Sequence, residues 1–204
     1  MAKLPEPPQP ISIAAETVEL PSGSLIWRLY ASGGPHPTAW NTLRTYGPTA
    51  SRFDHHLPPP SVQTRAIFYG AAEPTTCIAE YFQATRIIDR SHGAPWLVAF
   101  ATGWPLRLLD LTGAWPTRAG ASMAINSGPR PRARRWSQAI YDAYPDIHGL
   151  LYGSSMHANK PAYALFERCR PCFPAAPAFH RSLADPALAP RVDAAAGVLG
   201  YGLV

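Results

Sequence analysis

Twenty-four prolines in 204 residues constrain this chain more than any other feature. Proline fixes φ, removes a backbone donor and is excluded from helix interiors and central strands. The chain must therefore be built with many rigid connections. Together with 15 glycines the prolines still fall short of the roughly 25–30% that marks low-complexity disorder. Apolar residues make up 47% and charged residues only 15%, against about 25% in an average soluble protein, which excludes an acidic or polyampholyte disordered chain. The length suits one domain with short tails.

Lysine and arginine total 18 against 13 acidic residues, giving +5, and all but Lys3 and Lys160 of the cations are arginine. The forked guanidinium matches phosphate and carboxylate oxygens. An anionic ligand or partner follows, without a choice among nucleotide, nucleic acid and acidic protein. The N-terminal residues lack the apolar core of a secretory signal, so a cytoplasmic protein is expected. The uncharged stretch between Arg90 and Arg107 is broken by Pro95 and Pro105 and is too short for a membrane span. Cys77, Cys169 and Cys172 are an odd set that argues against a disulfide framework.

Residues 1–22 hold five prolines and little periodicity, and read as an N-terminal arm lying on the surface or partly disordered. The β-forming run 24–30 predicts a strand carrying Arg28 near its middle. From there to Arg65 the sequence reads as a long loop region or short strands. A strand over 65–72 is followed by a helix over 74–84, opened by a first-turn proline. Further strands are predicted over 96–101 and 105–111, a helix over 132–144 that ends at Pro145, and strands over 149–152 and 162–167. The main domain would span 23–182, and the alanine-rich tail 183–204 would be packed on it or peripheral to it. Helices and strands mix without strict alternation, which predicts an α+β domain with a mixed, mainly antiparallel sheet and flanking helices.

Most motifs that invite a chemical reading are incomplete. Cys169 and Cys172 have zinc-knuckle spacing and His180 is near, but no second pair completes four ligands, so they read as reduced cysteines at a turn. His55 and His56 would point to opposite faces of a strand and lack a third ligand, so no metal is assigned. Neither a dinucleotide-binding glycine fingerprint nor a P-loop is present. Ser154, Ser155 and His157 lie close in sequence without the glycine–serine elbow of a hydrolase. Arg130, Arg132, Arg134 and Arg135 cluster at a helix start, but only Trp136 is adjacent, which makes direct nucleic-acid binding a poor fit. A solvated face, or docking of an acidic partner or substrate, suits them better. Glu80, a carboxylate among apolar neighbours, needs a partner or a job. A core ion pair with Arg28 or Arg52 is the plain expectation.

The ordered blocks Trp27-Arg28, Arg52-Phe53-Asp54, Ile67 to Ala71, Ala79-Glu80 and Leu151 to Ser155 resemble the RES domain family, over about residues 24–168. That family comprises toxins of bacterial RES–Xre toxin–antitoxin pairs, with a fold similar to ADP-ribosyltransferase toxins. The resemblance implies attack on NAD at its nicotinamide–ribose bond, by phosphorolysis or hydrolysis, with transfer of ADP-ribose to a protein as the alternative. NAD would be a substrate, with inorganic phosphate a candidate co-substrate and no cofactor. By the same resemblance Glu80, Arg28 and Ser154 would be catalytic. Arg28, Arg52, Tyr69, Ser154, Ser155 and Tyr30 would bind NAD. This chain has Gly153-Ser-Ser where many members have Pro-Ser, so Ser154 or Ser155 could be the family serine, and Ser154 is favoured. An Xre-type helix-turn-helix antitoxin would be the partner, in a complex that could hold a homo-oligomer.

Overall fold

The computed structural model describes residues 3–204. In chain order the elements are β1 (Thr17–Leu20), β2 (Leu25–Ala31), β3 (Arg44–Gly47), β4 (Ser61–Ala71), α1 (Pro74–Tyr81), β5 (Ile87–Ile88), β6 (Pro95–Ala101), β7 (Leu106–Asp110), α2 (Trp115–Arg118), α3 (Arg130–Ala143), β8 (Gly149–Gly153), β9 (Pro161–Phe166), β10 (Phe179–Ser182), α4 (Ala189–Leu199) and β11 (Gly202–Leu203). Nine strands form one sheet in the order β1-β7-β8-β9-β4-β2-β6-β10, with β3 on β4. All its pairs are antiparallel except β7 with β8. The expected α+β class with a mainly antiparallel sheet and flanking helices is what the chain forms.

Strand alternation sends Trp27, Leu29, Ile67, Ala164 and Phe166 to one face, where α1, α3 and α4 cover them. Ile26, Ala66, Phe68, Leu108 and Leu165 go to the other face, against Phe100, Cys169 and Cys172. The cysteine pair is therefore core filling in a short 3-10 turn. His55 and His56 are buried and take a packing role. Among the described residues no three His, Cys, Asp or Glu side chains group as metal ligands, and no helix is long and apolar enough to cross a membrane.

The N-terminal arm and the C-terminal tail both pack on the domain. Residues 17–20 of the presumed arm pair with β7, and Leu4 is buried. Trp136 Nε1 donates to the Pro5 carbonyl at 2.8 Å, Arg132 donates to the Leu4 carbonyl at 2.8 Å, and Glu6 pairs with both Arg132 and Arg135. The tail supplies α4, whose Val192, Ala195 and Ala196 are buried, and β11, which pairs with β5. Neither contact is local in sequence, so periodicity alone could not reveal it.

The sheet is split at its centre. Strand β2 pairs with β6 along its whole length, but with β4 only through Trp27 and Ala71. Beyond that point β4 follows β9 instead, from Ile67 to Ala71. Gly70 sits at the apex, where an added Cβ would lie 2.6 Å from Ile26 Cγ2 and 2.9 Å from the Trp27 carbonyl. Glycine is required there because the two backbones approach too closely for any side chain.

Candidate functional site

A cavity of about 790 Å³ opens in the split between β2 and β4. Arg28, Tyr30 and Ala31 line one side, Ile67, Tyr69 and Gly70 another, and Glu80, Tyr81 and Gln83 of the α1 region a third. Segments 42–52 and 126–130 close the rim. Because the gap passes through the sheet, residues on opposite faces of neighbouring strands meet in one cavity. Six of the seven sequence-derived residues, Arg28, Tyr30, Arg52, Tyr69, Glu80 and Ser155, line it.

Glu80 is positioned by α1, a helix that also buries Thr76, Cys77, Ile78 and Ala79. Among the described residues no cation lies within ion-pair distance of its carboxylate, so the expected pairing with Arg28 or Arg52 is not formed. Ser154 Oγ instead donates to Glu80 Oε1 at 2.5 Å. Burial raises the Glu80 pKa above its ordinary value, while the Ser154 bond and the more distant charges of Arg52 and Arg130 oppose the rise. Ser154 itself is fully buried behind Glu80, and Ser155 is the serine on the cavity wall. The loop after β8 fixes Ser154: its N–H donates to the Lys160 carbonyl at 2.9 Å, and Asn159, at φ 58, donates back to the Ser154 carbonyl at 2.9 Å.

Arg28 and Arg52 are held by backbone carbonyls rather than by acids. Arg28 donates to the Thr42 carbonyl at 2.9 Å and lies 4.2 Å above the Phe68 ring. Burial brings its pKa down to about 10, which leaves it cationic at neutral pH. Arg52 donates to the Gly128 carbonyl, and Arg130 donates to Gln83 Oε1 at 2.5 Å. Only Arg44 on this wall has a carboxylate partner, Asp54 at 2.9 Å. The cavity therefore carries an excess of positive charge around one carboxylate. The Tyr69 hydroxyl is buried facing the Ser51 side chain and the Phe53 backbone, without a hydrogen bond of ordinary geometry among the described residues, and burial pushes its pKa up. Tyr30 shares a 2.6 Å hydrogen bond with His180 Nε2.

Sequence reasoning missed Arg44, Asn126 and Arg130 as cavity residues. Arg44 lies in a strand hidden among glycines, prolines and threonines. Arg130 was grouped with the basic cluster, yet it points at the cavity while Arg132 and Arg135 are bound to Glu6. That pairing removes two of the cations that nucleic-acid binding would use.

A family model described as RES domain matches residues 25–188. A chain of the crystal structure of the M. tuberculosis MbcT–MbcA toxin–antitoxin complex superimposes with a TM-score of 0.54 at 18% identity, covering 87% of this chain and 92% of that one. At that identity the likeness is one of fold. No curated protein matches the sequence.

Proposed function

The chain belongs to the RES domain family, and from that premise we propose that it is a toxin that consumes NAD by cleaving the nicotinamide–ribose bond. The observation that carries this reading is Glu80: a buried carboxylate braced by Ser154, facing a cavity whose other charged wall residues are mostly arginine. A dinucleotide fits such a wall, because its diphosphate is a dianion and forked donors bind it in pairs. Arg28 and Arg52 are the diphosphate ligands in this reading.

The bond to be broken joins the ribose anomeric carbon to a pyridinium nitrogen. Its electron pair leaves with nicotinamide and neutralises the ring, so the leaving group needs no proton. Positive charge then develops on the ribose. Glu80 stabilises it electrostatically and accepts a hydrogen bond from a ribose hydroxyl, in a site dry enough to strengthen both effects. Tyr69 supplies a flat surface for the ring and a hydroxyl to orient it. An oxygen of water or inorganic phosphate forms the new bond and releases or retains its proton accordingly. Ser154 acts through Glu80, holding the carboxylate in place.

An antitoxin partner is supported by the fold likeness to a chain of a toxin–antitoxin complex. We assign it to the helix-turn-helix type that accompanies the family, acting by covering the cavity. Expression of the chain alone should arrest growth and lower cellular NAD, and Glu80→Gln should do neither at equal protein level. Arrest by Glu80→Gln as strong as by the wild type would overturn the proposal.

A further inference from the structure

Asp54 is fully buried, yet it makes more hydrogen bonds than any other carboxylate near the cavity. Its Oδ2 accepts from Arg44 at 2.9 Å, from the Thr49 N–H at 2.6 Å and from the Thr49 hydroxyl at 2.8 Å. Its Oδ1 faces His56 Nδ1 at 2.5 Å and the His56 N–H at 3.3 Å. Burial alone would raise its pKa, but the His56 and Thr49 bonds and the Arg44 charge outweigh burial and hold it well below the carboxylate range. A buried carboxylate so saturated is a fixed charge with one orientation.

What it fixes is the cavity rim. His56 lies beneath Gly47, where an added Cβ would sit 2.6 Å from the ring, so β3 and the following loop fold directly over it. The His56 carbonyl accepts from Gln138 of α3 at 2.7 Å, and Ser137 Oγ donates to the Phe53 carbonyl at 2.8 Å, anchoring the same segment to a rigid helix. Arg44 donates one N–H to Asp54 and one to the Tyr46 carbonyl. Its other guanidinium N–H groups, of five in all, have no partner among the described residues. The side chain is 31% exposed and lines the cavity.

We propose that Arg44 is a further ligand for the phosphates of an anionic substrate, and that Asp54 is its positioning residue. The carboxylate holds one edge of the guanidinium so that the other is presented to the cavity without a rotamer search on binding. Restraint of this kind strengthens binding by removing an ordering cost rather than by adding a contact. Identifying the anion as a dinucleotide diphosphate rests on the function proposed above.

The test uses the full chain with inorganic pyrophosphate as the probe, measured by calorimetry, beside NAD turnover. Arg44→Gln should weaken pyrophosphate about tenfold and raise KM for NAD by a similar factor with kcat little changed. Asp54→Asn should weaken pyrophosphate comparably, and the double variant should bind no worse than Arg44→Gln alone, since both changes remove one device. Arg44→Lys should restore only part of the loss, because the point charge lacks the fork. Pyrophosphate binding by Arg44→Gln equal to that of the wild type would overturn the proposal, as would absence of pyrophosphate binding by the wild type. A fall in melting temperature of Asp54→Asn with unchanged pyrophosphate affinity would overturn the positioning role. Pyrophosphate binding that follows the predicted pattern without any NAD turnover would sustain this proposal and reject the NAD reading instead.

Discussion

Ser154 and Glu80 form the pair on which the residue-scale behaviour turns. Ser154→Ala removes a hydrogen bond to a charged acceptor, which contributes about 1.5–3 kcal/mol. Activity should fall about ten- to a hundredfold. Because that bond opposes the effect of burial, its loss lets the Glu80 pKa rise further. The acid limb of the kcat/KM profile should move to higher pH in the variant, a displacement that simple loss of structure would not produce. Glu80 also has a stability signature. A carboxyl whose folded pKa is raised binds its proton more tightly when folded, so stability falls as pH rises from about 4.5 through the folded value. Glu80→Gln should therefore melt higher than the wild type at neutral pH, with the advantage vanishing below pH about 4.5. Glu167 has the opposite sign. Burial raises its pKa, but the facing His55 ring, the Tyr141 hydroxyl and the Ala66 N–H outweigh it and hold it at about 2. Its contribution is complete above pH about 4.5 and is lost as pH falls toward 2. Glu167→Gln should flatten that acid limb of the melting curve.

Among the elements, two long-range placements shape the molecule, one at the cavity and one on α3. The first is the apex at Gly70, where β2 and β4 touch before diverging. Gly70→Ala forces a methyl against Ile26 and the Trp27 carbonyl, and overpacking of this kind costs about 1–3 kcal/mol. Affinity for the dinucleotide should drop along with melting temperature, since both walls of the split move. The second is the N-terminal segment laid across α3. Removing residues 1–8 exposes the site of Leu4, whose burial contributes about 1.5–3 kcal/mol, and leaves Trp136 Nε1 without its acceptor. For a chain of this size each kcal/mol is roughly 2–4 °C, so melting should fall on the order of 5 °C. The truncation also frees Arg132 and Arg135, and nonspecific, salt-sensitive DNA binding should increase relative to the full chain.

At the scale of the whole molecule, the sequence carried the central strands, the α1 and α3 helices and the blocks around Glu80, because each has local periodicity or a boundary signal, Pro74 opening α1 and Pro145 closing α3. It did not carry β1, β10 or β11, whose partners lie far along the chain and whose four or fewer residues leave no pattern. Arg28, Arg52, Tyr69 and Glu80 were legible as candidates, but their meeting in one cavity depends on the β2–β4 split, which no local signal encodes. The roles of Ser154 and Ser155 were separable only in three dimensions, one buried on Glu80 and the other on the wall. Arg44 was invisible because its strand is short and bulged, and its significance rests on a carboxylate ten residues away.

Initial rates of nicotinamide release from NAD by the purified chain and by Glu80→Gln, each with and without inorganic phosphate, test the central claim most directly. The wild type should release nicotinamide in step with NAD loss, the mass of the ADP-ribosyl product identifying water or phosphate as acceptor, and the folded variant should be slower by at least about a hundredfold. Intact NAD after incubation with folded wild-type protein under both conditions, or equal rates for the two proteins, would contradict it.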